Sequence, residues 1–237
     1  FRREGVPETL LDPLLYTLLI GTIVGARLGH CLFYQPDYYL GSMKGFWEIF
    51  MPWKGGLASH GGTIALFIAM WWFAKHYGRK YDFDFVWILD HLAIAVCFAA
   101  TFIRLGNLFN SEIYGDVTAL PWGFVFELRG ETEPKHPTQL YEAISYMLLG
   151  FALLALYYKK LDKLYRGTIF GIFFMVLFGM RFLIEFVKEP QEAFEEGMVL
   201  NMGQWLSVPF ILAGLVILII SLKRKVPARL TPPVYKK

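Results

Sequence analysis

The sequence predicts an all-α polytopic membrane protein with six visible transmembrane helices and a small external segment between the third and fourth, all read as one integral membrane domain over 1–237. Of the 237 residues, 56% are hydrophobic and 18% aromatic, and the mean hydropathy is +0.43, above what a soluble domain of this size carries. Apolar runs of about the length needed to cross a bilayer, ~20 residues, recur at roughly 13–34, 57–74, 85–103, 138–158, 167–187 and 203–222. They are too long for barrel strands and lack the strict alternation that a transmembrane barrel requires, so they read as helices.

The formal net charge of +3 is small and its cations are scattered between apolar runs, which argues against a nucleic-acid partner. Cys31 and Cys97 each lie inside an apolar run and read as small buried hydrophobes, with neither a disulfide framework nor a cysteine metal site. The chain opens on Phe1-Arg-Arg-Glu-Gly without Met, so an upstream segment is expected.

Orientation follows from the connections. Arg2 and Arg3 precede the first run, and Lys75, Arg79 and Lys80 follow the second. Lys159, Lys160, Lys163 and Arg166 follow the fourth, and Lys223, Arg224 and Lys225 follow the sixth. The alternate connections carry Asp37 and Glu48, then Asp116, Glu127, Glu131 and Glu133, then Glu189, Glu192, Glu195 and Glu196. The positive-inside rule therefore places both ends in the cytoplasm.

In the first run, Gly21, Gly25 and Gly29 repeat every four residues, which puts three small residues on one face for close helix contact. Arg27, His30 and Tyr34 share another side; Arg27 reads equally as a snorkelling or structurally paired cation and as a ligand contact. The outer loop 35–54 is rich in aromatics, among them Tyr38, Phe46, Trp47, Phe50 and Trp53, and is expected to lie along the membrane surface. Gly55-Gly-Leu-Ala-Ser-His-Gly-Gly62 opens the second helix. Its glycines permit close approach to His60, and a helix start offers free N–H groups to an anion.

Asp90 and His91 lie near the inner end of the third helix and read as structural hydrogen-bonding residues. That helix is expected to end at Arg104, with Gly106-Asn107 as its stop signal. The small external segment 104–135 follows, with Phe124-Val-Phe-Glu-Leu as a possible short strand. His136-Pro-Thr-Gln-Leu-Tyr-Glu142 opens the fourth helix, with Gln139 and Glu142 on one side. Arg181 and Glu185 in the fifth helix are spaced for an intrahelical ion pair. Gln204 and Ser207 start the sixth helix, and the tail from Lys223 reads as a solvated basic end.

Arg27, His60, Arg104, Asn107, Glu142, Arg181 and Gln204 thus come from all six helices and fall in the outer half of the membrane. Several arginines and a glycine-rich helix start at one level suit an anion, and a phospholipid phosphate fits charge and depth. No H-E-x-x-H, G-x-S-x-G or phosphate-loop motif is present, so no metal, nucleotide or other cofactor is indicated. An anionic-lipid-binding transporter is the alternative, although no internal repeat is evident. An intramembrane protease lacks its nucleophile or paired aspartates.

Gly25-Ala-Arg-Leu-Gly-His30, Gly55–Gly62, Arg104-Leu-Gly-Asn-Leu-Phe-Asn-Ser-Glu-Ile-Tyr-Gly115, His136–Glu142, Arg181-Phe-Leu-Ile-Glu185 and Met202-Gly-Gln204 together resemble the prolipoprotein diacylglyceryl transferase family of bacteria, in order across nearly the whole chain. Ile103 and Leu108 depart from the family signature, and Lys188 stands where some members carry arginine. The resemblance implies a further N-terminal helix. It also implies a bacterial inner-membrane location and transfer of the diacylglyceryl group of phosphatidylglycerol to the lipobox cysteine of a prolipoprotein signal peptide. Under it, His60, Arg104 and Arg181 are expected to be catalytic. Arg27, Gly61, Gly62, Arg104, Asn107, Glu112, Gly115, Glu142, Arg181, Glu185 and Gln204 are expected to bind the lipid. His60 is the candidate base for the thiol, because an imidazole ordinarily titrates at ~6.5.

Overall fold

The computed structural model describes residues 1–190 and 197–230; Glu192, Glu195 and Glu196 of the acidic connection lie outside them. The described residues form eight α-helices: α1 (Leu11–Phe33), α2 (Pro36–Gly41), α3 (Met43–Glu48), α4 (Ser59–Tyr81), α5 (Phe85–Phe109), α6 (Thr138–Lys160), α7 (Thr168–Ile184) and α8 (Met202–Arg224). Five stretches built on α1, α5, α6, α7 and α8 are long and apolar enough to cross a membrane. Helix α4 matches α1 in length but interleaves its apolar residues with Ser59, His60, Gly61, Gly62, Thr63, Lys75 and His76, which lowers its mean hydropathy and explains why five spans are found where the sequence reading expected six. Leu15, Ile20, Leu206, Leu212 and Val216 are exposed, the inverse of a water-soluble surface.

The chain divides into two compact units, Phe1–Ile88 with the segment from Leu230, and Leu89–Arg229. In the first, α1 and α4 meet through small residues. A Cβ on Gly25 would run into Ala65 and the Gly61 carbonyl, and one on Gly29 would lie 2.8 Å from the Gly61 Cα. The four-residue glycine repeat is therefore the contact stripe that lets two backbones touch. The amide of Ala58 bonds the Ala26 carbonyl at 2.9 Å, locking the entry to α4 onto α1. Helices α2 and α3 carry the loop aromatics, with Phe46, Trp47, Phe50 and Trp53 exposed and Tyr39 buried. Glu4 is buried and accepts from the Trp87 indole at 2.9 Å and the Leu230 amide at 3.4 Å.

In the second unit, α7 packs on α8 where Gly171 faces the Gly214 carbonyl and Leu218, and Gly150 of α6 faces Cys97 and Phe98 of α5. Asp90 ties α5 to the start of α7. Its carboxylate, 3% exposed, accepts from the amides of Gly167 at 2.6 Å and Phe170 at 2.8 Å. An anion from α5 thereby caps the orphan N–H groups and positive dipole end of α7. His91 stands edge-on to Tyr157, with centroids 5.4 Å apart.

Three expectations are corrected. Helix α5 runs through Arg104, Gly106 and Asn107 to Phe109, because Gly106 still accepts from the Asn110 amide at 3.0 Å. It stops where Ser111 turns left-handed (φ 53), with Ser111 N–H bonded to the Leu108 carbonyl and Glu112 N–H to that of Asn107, the two bonds of a Schellman end. The expected strand at 124–128 is one bridge, Phe124 to Lys135, followed by a 3-10 turn at Glu127–Arg129. The tail is not free as far as Leu230: the Ala228 amide bonds the Leu164 carbonyl at 2.9 Å, Arg229 pairs with Asp162 at 2.6 Å, and Ala228 and Leu230 are buried.

Replacing Asp90 by Ala leaves two buried amides unpaired, and the loss in stability is expected to be about 2–3 kcal/mol. A thermal-unfolding measurement in detergent in which Asp90→Ala matches the parent would contradict the capping role.

Candidate functional site

The polar groups of the second unit are organised by Glu142. The residue lies one turn into α6 and is fully buried. Its Oε2 lies 2.7 Å from Arg104 Nε, an ion pair whose N–H is not aligned as a hydrogen bond. Its Oε1 faces Lys188 Nζ at 3.8 Å and accepts from the Tyr146 hydroxyl at 3.5 Å. A buried carboxylate is tolerated only with such partners. On the other side, Arg104 Nη1 donates to Asn107 Oδ1 at 3.3 Å, and Asn107 Nδ2 donates to Glu112 Oε2 at 3.1 Å. Continuation of α5 past Arg104 makes this possible, since residues three apart share a helix face. Arg129, which the sequence reading passed over, donates to Glu112 Oε1 and to the Ser111 carbonyl, both at 3.3 Å.

The loop after α5 is strained and pinned. Ile113 has φ 60, a conformation rarely adopted by a β-branched residue. Two side chains from the start of α6 hold it: Gln139 Nε2 donates to the Glu112 carbonyl at 2.6 Å and Thr138 Oγ1 to that of Ile113 at 3.0 Å. The Gln139 Oε1 is buried with no partner among the described residues. Gly115 bridges Lys188 across an antiparallel pairing, and a Cβ there would strike the Val187 carbonyl. The glycine therefore admits the backbone that delivers Lys188. A cavity of about 400 Å³, lined by Ser111, Glu112, Ile113, Tyr114, Arg129, Glu189 and Pro190, opens beside this loop.

The expected Arg181–Glu185 pair does not form. Helix α7 ends at Ile184 and Glu185 enters a 3-10 turn, from which its carboxylate pairs with Lys188 at 3.3 Å. Gly203 abuts that carboxylate and leaves room for it. Arg181 is partly exposed and makes no ion pair or hydrogen bond among the described residues. Gln204 acts as a cap: it forms a reciprocal capping box with Asn201 and donates to the Phe182 carbonyl at 3.4 Å. The sequence reading noted Lys188 only as standing where some family members carry arginine, and it passed over Tyr146, one turn after Glu142.

Arg27, His60, Gly61 and Gly62 belong to the first unit. Arg27 is buried, and its guanidinium donates to the carbonyls of Glu48, Ile49, Gly55 and Gly56 and lies over the Tyr39 ring. It therefore organises the loop between α1 and α4. The space beside Gly61 is filled by Gly25 and Gly29 of α1, whereas Gly62 lines a small groove with Thr22, Ala26 and Thr63. His60 is exposed in the first turn of α4, with no bonded partner among the described residues.

Long apolar helices with outward-facing hydrophobic surfaces define an α-helical membrane protein, whose second unit holds a buried polar cluster around Glu142. Residues 1–220 match the family model described as prolipoprotein diacylglyceryl transferase. The phosphatidylglycerol–prolipoprotein diacylglyceryl transferase of Tolumonas auensis is 47% identical over 225 residues, covering 95% of this chain and 84% of the relative. Those of Bacteroides fragilis and Porphyromonas gingivalis are each 44% identical, over 95% and 98% of this chain and 83% and 84% of theirs. The chain belongs to the prolipoprotein diacylglyceryl transferase family.

Outside the spanning helices, Tyr114 donates to Glu131 at 2.7 Å, and Lys135 bridges Glu131 at 3.0 Å and Glu189 at 2.8 Å. The hydrogen bond from Tyr114, then that from Lys135, holds the Glu131 carboxyl below its ordinary value of 4.5. Burial opposes the charge on Lys135, but its bonds to Glu189 and Glu131 outweigh it and hold the ammonium above its ordinary value. A depressed carboxyl stabilises the fold above its ordinary value and ceases to do so as pH falls through the lowered one; a raised ammonium loses its contribution only in alkali. Amide protection at Gly115, Asp116 and Lys135 is expected to hold from pH ~5 to ~9 and to decline below pH ~4. Protection factors from hydrogen exchange that stay constant to pH ~3 would remove this cluster as a stabilising element.

Proposed function

We propose that this chain transfers the diacylglyceryl group of phosphatidylglycerol to the lipobox cysteine of a prolipoprotein signal peptide, from the outer half of a bacterial plasma membrane. The single observation that carries this onto the present residues is Arg181, a guanidinium with no described carboxylate, in the unit where Arg104 is anchored by Glu142. Two arginines of which one is uncommitted suit a phosphodiester that gains negative charge as it leaves. The relatives' names supply the substrates.

The reaction forms a bond between the acceptor sulfur and the glyceryl carbon and breaks the bond from that carbon to the phosphate ester oxygen. The bonding pair leaves with the oxygen as glycerol phosphate, and the thiol proton passes to a base. Arg104 and Arg181 bind the headgroup phosphate and offset its second charge. Glu142 fixes Arg104. Asn107 and Glu112 hold its other flank, and Gly115 shapes the loop. Glu185 and Gln204 support the same wall through Lys188 and the α8 cap. His60 takes the thiol proton, supported by its exposed ring and the titration range of imidazole. Cys31 and Cys97 have no chemical role, because the nucleophile belongs to the peptide. Gly61 serves the α1–α4 packing and Arg27 the loop that leads into α4, which presents His60. Six crossing helices, including α4, with cytoplasmic ends and an outward segment at 104–135, agree with the alternation of Lys/Arg-rich connections.

Purified protein in phosphatidylglycerol liposomes is expected to add a diacylglyceryl mass to a lipobox peptide. Bound lipid with unmodified peptide would favour the transporter alternative. Arg181→Ala is expected to lower turnover at least ~10²-fold with little change in unfolding temperature. Arg104→Ala should lose turnover and, by stranding Glu142, also about 3–5 kcal/mol of stability. Near-normal turnover in both variants overturns the phosphate assignment. His60→Gln is expected to flatten the rise of the pH–rate profile near neutrality, and an unchanged profile removes it as the base.

A further inference from the structure

Resting on that reading, we propose that Lys188 is a positioning residue that keeps Arg181 free for the lipid phosphate by occupying the carboxylate that would otherwise claim it. Residues four apart at the end of a helix lie within reach of each other, so Glu185 is the natural partner of Arg181. The structure shows a different pairing. Lys188 Nζ lies 3.3 Å from Glu185 and 3.8 Å from Glu142, with its side chain only 2% exposed.

The charge arithmetic assigns each group. Glu142 and Glu185 are buried carboxylates, and the same unit holds three cations, Arg104, Arg181 and Lys188. Arg104 holds Glu142, and Lys188 holds Glu185 while flanking Glu142. One positive charge is left over, and it is on Arg181, which is half-buried like Arg104 and has no carboxylate partner among the described residues. A compact ammonium suits a place between two carboxylates, whereas a planar guanidinium suits the bidentate grip of a phosphate. Backbone geometry reinforces the choice. Gly115 bridges Lys188, the Asp116 amide bonds the Val187 carbonyl at 3.1 Å, and the Glu189 amide bonds that of Tyr114 at 3.3 Å. The signature loop thereby holds the lysine in register. Without it, Glu185 would be a buried anion whose nearest relief is Arg181.

The test is equilibrium binding of phosphatidylglycerol, against phosphatidylcholine, to the full chain in detergent, with lipobox-peptide transfer read in parallel. Lys188→Met is expected to weaken phosphatidylglycerol binding and raise its KM about tenfold, leaving the peptide KM within twofold. Lys188→Arg, which keeps a cation between the carboxylates, should stay within threefold of the parent. The double variant Lys188→Met/Glu185→Gln carries no stranded anion, so it remains informative even where Lys188→Met fails to fold. It is expected to bind phosphatidylglycerol within threefold of the parent. Tenfold weaker binding by the double variant would show that the ammonium itself contacts the lipid, overturning the proposal. Unchanged lipid binding in a folded Lys188→Met, or equal rises in both KM values, overturns it as well. A parent chain that binds phosphatidylglycerol without transferring it would refute the proposed reaction and still decide the role of Lys188; one that does not bind the lipid refutes both.

Discussion

The second unit depends on one constraint: a fully buried carboxylate, that of Glu142, has to be neutralised inside an apolar bundle. A lone buried anion costs several kcal/mol, so its partners are fixed by energetics before any ligand is considered. Arg104 from α5, Lys188 from the turn after α7 and Tyr146 from α6 converge on it. Three chain segments are thereby held together, in the same unit as Arg181, which has no carboxylate partner among the described residues.

The loop from Ser111 to Gly115 is the mechanical complement of that network. Helix α5 ends with a serine in a left-handed conformation, and two residues later an isoleucine adopts another. Such geometry persists only where the surroundings over-determine it, and here Thr138, Gln139 and the 187–189 backbone do so. Strain in this loop and rigidity in the start of α6 are two aspects of one arrangement, which sets the position of Glu112 and of Lys188 together.

The first unit solves a different problem, bringing α1 and α4 into backbone contact and then organising the loop between them. Glycines at 21, 25 and 29 serve the first purpose. Arg27 serves the second by satisfying four carbonyls that an irregular loop would otherwise leave unpaired. An arginine is thus a buried structural hub in one unit and, as the half-buried Arg104, the partner of a buried carboxylate in the other. Composition does not distinguish the two; the identity of the acceptors does, carbonyls in one case and a carboxylate in the other.

The ordered motifs of the sequence carried the resemblance to the family. Hydropathy and spacing by themselves determined the helical membrane class, the glycine stripe on α1 and the shared side of Arg27 and His30, each of which depends on a period along one chain segment. The partners of charged groups were decided only by the tertiary structure. Local spacing matched Arg181 to Glu185 and ended α5 at Gly106, but Glu185 lies in a turn rather than on the helix, and backbone bonds carry α5 two residues beyond Asn107 to Phe109. Asp90 likewise acquired its role from amides 77 and 80 residues away. The reason is physical: helix formation and burial follow short-range periodicity, whereas neutralising a buried charge selects whichever opposite charge the packed fold brings within ~4 Å, and sequence separation does not enter that choice.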